Sequence, residues 1–293
     1  MTSAPRAHLY LLIYAVLIST SYPLANFLGQ SYPPLLTTLL RYLIAAVGFI
    51  LLLLMRGQLN PIRLEAFGRY SVISLPLIAF FLLMFVAADS ASAIAMSSLS
   101  TTVPLFSVLF AYLGWRQPSS LSRVLVLLGG GAGALWLISQ GQLNHLLQGG
   151  WPLGNSQFLL GCAFMGLYPL LVKQLHRGEP MLVITGWSLI CGCLWLLLVC
   201  AVVQPHWLWP SASQTVAIVW LATANTMLTF FLFQSASVVV GGSSASAYAL
   251  LSPAIVIVIN VLLGQPWPAP SVLLGLIPIF ATLLWLLKQD QQA

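Results

Sequence analysis

Residues 33–55 read PPLLTTLLRYLIAAVGFILLLLM, 23 residues with one charge among them, Arg41. A hydrocarbon core of roughly 30 Å takes about 20 helical residues to cross. The stretch is therefore a transmembrane helix by length and polarity alone. Apolar runs of similar length recur near 8–28, 70–88, 91–113, 120–139, 156–174, 181–203, 214–235, 243–263 and 270–287. With the first stretch they predict ten spans, and the break around Asp89 separates the third from the fourth. The first run follows Arg6 and resembles a secretion signal, but equally apolar runs follow it without a small-residue cleavage site. It reads as a retained span.

Composition says the same from the other direction. Of 293 residues, 60% are apolar and 5% charged, whereas a soluble domain carries about a quarter charged residues. Most of the exterior must face a lipid bilayer. The net charge of +6 would suggest nucleic acid in a soluble protein. Here the cations sit in short connectors, where they report orientation. Arg6, then Arg56, Arg63 and Arg69, then Arg116 and Arg123, then Lys173 and Arg177, and finally Lys288 all fall on one side of a ten-span arrangement. That side is expected to be the cytoplasm, with both termini inside the cell (inner or plasma) membrane. The other connectors carry Trp151, Trp207, Trp209 and Trp267, as befits aromatic rings at headgroup level.

The chain also repeats itself. Tyr22-Pro23-Leu24 recurs as Tyr168-Pro169-Leu170, Phe80-Phe81-Leu82 as Phe230-Phe231-Leu232, Pro104 as Pro253, and Leu135-Trp136-Leu137 as Leu284-Trp285-Leu286, always at an offset of 146 to 150. The second span has no clear echo in the seventh. Residues 1–148 and 149–293 therefore form two five-span repeats, and an odd span number inserts the second upside down. The expected fold is all-α, ten transmembrane helices in two inverted five-helix repeats, the architecture of many secondary transporters. Tyr22-Pro23 and Tyr168-Pro169 become symmetry mates at opposite mouths of any central cavity. Proline kinks a helix, so Pro23 and Pro169 are candidate gates or, alternatively, static kinks that shape packing.

These residues resemble the drug/metabolite transporter superfamily, specifically its EamA-type carriers, over nearly the whole chain. Pro33-Pro34 followed by Leu39-Leu40-Arg41 is similar to that family's second helix. Ser98 to Pro104-Leu105 with Leu113-Gly114, and the glycine-rich Gly129 to Leu137, are similar to its fourth and fifth. Ser243 to Ala247, Ser252-Pro253 and Leu263-Gly264 repeat the pattern. Trp115 and Gln265 stand where the family has Glu, and Ser21-Tyr22 and Asn26 where it has Trp-Gly and Lys. The resemblance implies secondary transport, in the direction of efflux, of a small organic metabolite such as an amino acid, by a permease without a cofactor.

Polar residues inside apolar runs are the candidate site. A cation in a span costs a few kcal/mol on insertion scales and should face protein or water. Arg41 could anchor a solute carboxylate or phosphate. It could equally bond carbonyls freed by Pro23, or snorkel outward. Lys173, close to a span end, is expected to snorkel. Asn26, Asn225, Gln234 and Asn260 offer either interhelical hydrogen bonds or solute contacts. Tyr22, Tyr168, Ser98 and Ser246 are plausible liners, while Gly129, Gly130, Gly131 and Gly133 allow close helix packing.

The chain has four acids, Glu65, Asp89, Glu179 and Asp290, none deep in a span. A proton or sodium relay normally uses an intramembrane carboxylate, so uniport or exchange is expected. The four cysteines lie in apolar runs without metal-ligand spacing, and no phosphate-binding glycine loop or zinc motif occurs. An intramembrane hydrolase would need a base, yet His8, His145, His176 and His206 lie at span ends or beyond. A non-transporting membrane subunit is the remaining alternative. Reporter fusions at the two termini should place both on one face of the bilayer; opposite faces would contradict the inverted repeat.

Overall fold

The computed structural model describes residues 4–58, 64–142, 144 and 151–290. Arg63, His145, the 148/149 repeat boundary and the side chain of Ser243 lie outside the described residues. Among the described residues, ten helices are long and apolar enough to cross a membrane: α1 Ala4–Gly29, α2 Pro34–Met55, α3 Leu64–Ala87, α4 Ala93–Trp115, α5 Leu121–Ile138, α6 Leu153–Leu175, α7 Met181–Val203, α8 Ala212–Val240, α9 Ser244–Leu262 and α10 Pro270–Gln289. Two differ appreciably from the runs read in the sequence. Helix α3 starts at Leu64 rather than near 70, because its first turns carry Glu65 and Arg69 beyond the apolar run. Helix α8 reaches Val240 rather than 235. The face bearing Lys and Arg is called the basic face below, and the other the far face.

The helices pack as an inverted repeat requires. Helix α1 lies against α8 and α9, and its mate α6 against α3 and α4; α2 meets its own mate α7, and α5 its mate α10. Two bundles result. The first is α1, α2, α8 and α9, and the second is α6, α7, α3 and α4, so each draws on both halves of the chain. The pair α5 and α10 flanks them on the side of α4 and α9.

Apolar side chains in lipid gain little by meeting each other, so helices associate through close backbone approach and hydrogen bonds. The α5–α10 crossing shows the first. A Cβ on Gly133 would stand 2.5 Å from the Gly275 carbonyl oxygen, and one on Gly275 would stand 2.8 Å from that of Gly133. The Thr282 hydroxyl, on α10, donates to Val126 O of α5 at 2.9 Å. Gly129 and Gly131 of the same series face open space.

The bundle ends are tied by mirror-related contacts of different chemistry. At the basic face, Arg69 of α3 donates to Leu175 O and to Glu179 Oε1, both at 2.6 Å, and Arg177 pairs with Glu65 at 2.6 Å. At the far face the corresponding links are neutral: Tyr32 Oη to Leu208 O at 2.7 Å and Gln214 Nε2 to Ser31 O at 3.0 Å. Burial raises the pKa of Glu179, but the Arg69 side chain and the Arg177 backbone N–H outweigh it and bring the value to about 2. The sign follows from linkage: the pair's stabilisation is complete above the ordinary value of 4.5 and is lost as pH falls toward about 2.

Helix breaks also come in mates. Helix α4 pauses at Thr101–Thr102, and Pro104 opens its second piece. Helix α9 tightens to a 3₁₀ turn at Tyr248–Leu251, and Pro253 opens the α-helical segment beyond it. In α8 a π turn, Thr223–Leu228, interrupts the α-helix where the mate α3 carries Pro76.

Gly133→Ala should lower the thermal unfolding temperature in detergent by an amount corresponding to about 1–3 kcal/mol of overpacking. Gly131→Ala, which meets no neighbour, should be neutral or slightly stabilising, since alanine favours helix by about 1 kcal/mol.

Candidate functional site

Arg41 belongs to the far-face third of α2. Leucines and threonines around it form a regular helix, and the arginine is carried inward on the face that packs against α8 and α3. It is 2% exposed. Its partner is none of those the sequence suggested: neither a carbonyl freed by Pro23 nor the membrane surface. Nε and one terminal nitrogen donate to the Thr226 hydroxyl at 3.2 and 3.1 Å. The guanidinium carbon stands 3.9 Å from the centroid of Phe81 of α3, so the cation also rests on an aromatic face. Thr226 is in the first bundle and Phe81 in the second, so Arg41 touches both. The second terminal nitrogen, Nη1, is buried and unpartnered, as is the hydroxyl of the adjoining Tyr42.

The π turn of α8 presents Thr226. A π turn inserts an extra residue and leaves the i−4 ladder, a feature frequent at functional sites. Here the Thr226 hydroxyl donates to Leu221 O, five residues back, at 3.0 Å. It can therefore accept from Arg41 while its own proton is engaged. Asn225, the preceding residue, turns the other way. Its Nδ2 donates to Leu17 O at 2.8 Å and Ser21 Oγ at 2.6 Å on α1, and Trp220 Nε1 donates to the Thr20 hydroxyl at 3.0 Å. The distorted stretch is thereby pinned to α1 on one side and α2 on the other.

A cavity of about 350 Å³ lies toward the basic face, between α2, the start of α7 and α8; Phe49, Arg56, Leu182, Met227, Phe230 and Gln234 are among its walls. Met227 is one of its walls and also meets α2. Its thioether lies against Gly48, which sits two turns from Arg41 on the same face of α2.

The other candidates fall into separate places. Tyr22 is 6% exposed and meets Phe158 edge-on, with ring centroids 6.2 Å apart. Asn26 donates to Ala88 O at 2.9 Å and Ala91 O at 2.7 Å, across the junction of α3 and α4. Both residues join α1 to the second bundle at the far face. Tyr168 is half-buried and packs on Tyr70, Ile73, Ile184 and Cys191 of its own bundle. Pro23 is half-buried and Pro169 exposed, each within a continuous helix. Ser98 is buried, its hydroxyl donating to Ile94 O at 2.7 Å; Ser246 is exposed in α9. Gln234 lines the cavity. Lys173 is exposed near the basic end of α6, as expected.

Arg41 and Asn225 are thus drawn into one polar layer, Tyr22 and Asn26 into one set of contacts at the far face, and Tyr168 stands toward the opposite end. Thr226, Tyr42 and the stacking role of Phe81 went unread in the sequence. One signal was available for Thr226: a buried arginine in a chain with no intramembrane acid needs a neutral acceptor, and Asn225-Thr226 is a polar pair inside an apolar run.

Comparison with known proteins bears on the family and the fold. Protein PecM of Dickeya dadantii (strain 3937) is 27% identical over 259 residues, covering 86% of this chain and 82% of that protein. A protein of known crystal structure, 20% identical, superposes with a TM-score of 0.67 over 99% of both chains, a likeness of fold. The EamA-like transporter family matches residues 5–139 and again residues 152–288. Ten apolar helices in two inverted repeats, each matched by that family, identify the chain as a member of the EamA-like transporter family.

Proposed function

We propose that the protein is a secondary transporter that moves a small organic metabolite across the cell (inner) membrane by alternating access, and that the structure is its inward-facing form. The reading takes the basic face as cytoplasmic, with both termini there, and residues 1–148 and 149–293 as the two repeats. Export of an amino acid or a related metabolite is the direction and class expected of it.

One observation carries the proposal: symmetry mates are packed differently. Around Tyr22, a single buried cluster takes in Leu28 of α1, Leu36 of α2, Phe85 of α3, Met96 of α4, Phe158 of α6, Leu221 of α8 and Val256 of α9. Both bundles contribute, so the far half is sealed. Around Tyr168 the cluster belongs, among the described residues, to α3, α6 and α7 alone. The basic end of α1 has its own cluster with α8 and α9, centred on Leu11, Ala236 and Tyr248. Two equivalent bundles that can join at one end can join at the other, because the sequence elements are repeated. A rocking motion that closes Tyr168 against the first bundle and releases Tyr22 would turn the observed state into its mirror. Pro23 and Pro169 lie beside the two tyrosines and are the proposed gate hinges. Tyr22, Asn26 and Tyr168 act in closure, and Arg41, Ser98, Asn225, Gln234 and Ser246 are proposed to shape or line the path.

No acid lies deep in a span to bind a proton or sodium ion, which supports uniport or exchange. His8 stands near the start of α1, bonded to the Tyr248 hydroxyl at 2.7 Å. A histidine at that end of a span fits a carrier better than an intramembrane enzyme.

Single cysteines at positions 22 and 168 should change reagent access in opposite directions when a transported solute is added to liposomes. Parallel changes would contradict paired gates. Asn26→Ala removes two hydrogen bonds of the sealed end, each worth about 1 kcal/mol. It should shift the ratio of inward to outward forms by about 5–30-fold, read as faster labelling of a cysteine at position 22; an unchanged rate would remove Asn26 from the gate.

A further inference from the structure

Arg41 is a buried cation for which the described residues supply no counter-ion. Of the chain's four acids, Glu179 is bound to Arg69 and Glu65 to Arg177. Asp89 is exposed in the turn between α3 and α4, and Asp290 directly follows α10. What neutralises Arg41 within the protein is one hydroxyl dipole and one aromatic face. A guanidinium has five N–H donors in a planar fork suited to two parallel bonds with an oxyanion. Thr226 engages Nε and one terminal nitrogen and leaves Nη1 sealed without a partner.

The Tyr42 hydroxyl is a second buried group without a partner, and it belongs to the same layer. Arg41 lies over the Phe81 ring at 3.9 Å, and the Tyr42 ring meets that ring edge-on with centroids 6.1 Å apart. Leaving such groups unbonded costs about 1–3 kcal/mol for a neutral polar atom and more for a charged one. Two buried donors beside one aromatic ring, one of them on a cation, have the chemistry that an oxyanion pairs with.

We infer that Arg41 Nη1 and the Tyr42 hydroxyl bind the carboxylate of the transported solute, with Phe81 as the ring on which the ion pair forms. The inference rests on the transport reading and narrows it to organic acids and zwitterions. The carboxylate accepts from both donors and supplies the charge that the spans lack. Because Arg41 holds Thr226 in one bundle and Phe81 in the other, the solute binds where the bundles meet. Met227 lines the cavity and is seated against Gly48, two turns from Arg41 on α2, so it is the flexible side chain a solute moving between them would displace.

The test loads proteoliposomes with a deproteinised cytosolic small-molecule extract and follows efflux of its components by mass spectrometry. The purified full-length protein and its Arg41→Gln, Arg41→Lys and Tyr42→Phe variants are compared. Components released by the wild-type protein should carry a carboxylate. Arg41→Gln should reduce their efflux by about 10–100-fold, the range for a hydrogen bond to a charged group, with partial recovery in Arg41→Lys. Tyr42→Phe deletes a hydroxyl that bonds nothing in the structure. It should fold normally and still weaken the half-saturating concentration about 5–10-fold. Selective release of neutral or cationic components, or unchanged carboxylate saturation in Tyr42→Phe and unchanged efflux in Arg41→Gln, would overturn the anion site and leave the carrier standing. Release no greater than from protein-free liposomes would overturn both.

Discussion

A low-dielectric slab in which water competes for nothing is the condition under which every other feature of this fold makes sense. Hiding leucine from lipid yields little, because lipid tails are as apolar as leucine. Polar atoms must instead be satisfied inside the chain, at several kcal/mol each where they are not. The bundle is therefore held where backbones come close, as at Gly133 and Gly275, and where rare polar side chains reach across. Asn225 reaches α1, Asn26 the α3–α4 junction and Arg41 the π turn of α8. Each sits between elements that an apolar surface alone would not keep in register.

The same condition gives the helix breaks their meaning. Backbone that leaves the α ladder inside a membrane has to find other partners, so it survives only where it is buried in protein or lines a cavity. In α8 the departure is used: the shifted register sends the Thr226 proton to Leu221 O and frees its oxygen for Arg41. The mates α4 and α9 break just before Pro104 and Pro253. Breaks are thus properties of repeat positions, while their chemistry differs between copies. Charge differs in the same way, with ion pairs at the basic face and tyrosine and glutamine hydrogen bonds at the far one. The side on which Lys and Arg accumulate is fixed by orientation, so a duplicated contact had to be rebuilt from neutral groups on the other side.

Under the proposed transport reading the packing pattern also bears on motion between two states. The halves share sequence elements, yet Tyr22 sits in a cluster drawn from both bundles and Tyr168 beside one drawn from its own. The free-energy gap between such states is a few kcal/mol in proteins that interconvert. A handful of contacts such as Tyr22 on Phe158 and the two bonds of Asn26 is of that order.

Much of this architecture is legible along the chain, because bilayer thickness sets a length that apolar runs either have or lack. The ten spans, the single-sided cations, the duplication through Tyr22-Pro23 and Tyr168-Pro169, and the oddness of Arg41 are all local or periodic signals. What the tertiary structure alone decided is which polar atoms meet. Arg41 and Thr226 are 185 residues apart, and the π turn that brings them together leaves no mark in composition. Arg69, in the early turns of the third span, likewise meets Glu179, 110 residues on. Periodicity tells which face of a helix is polar; only the packed bundle tells what that polarity faces, because partner choice in lipid is settled by distance and angle between groups remote in sequence.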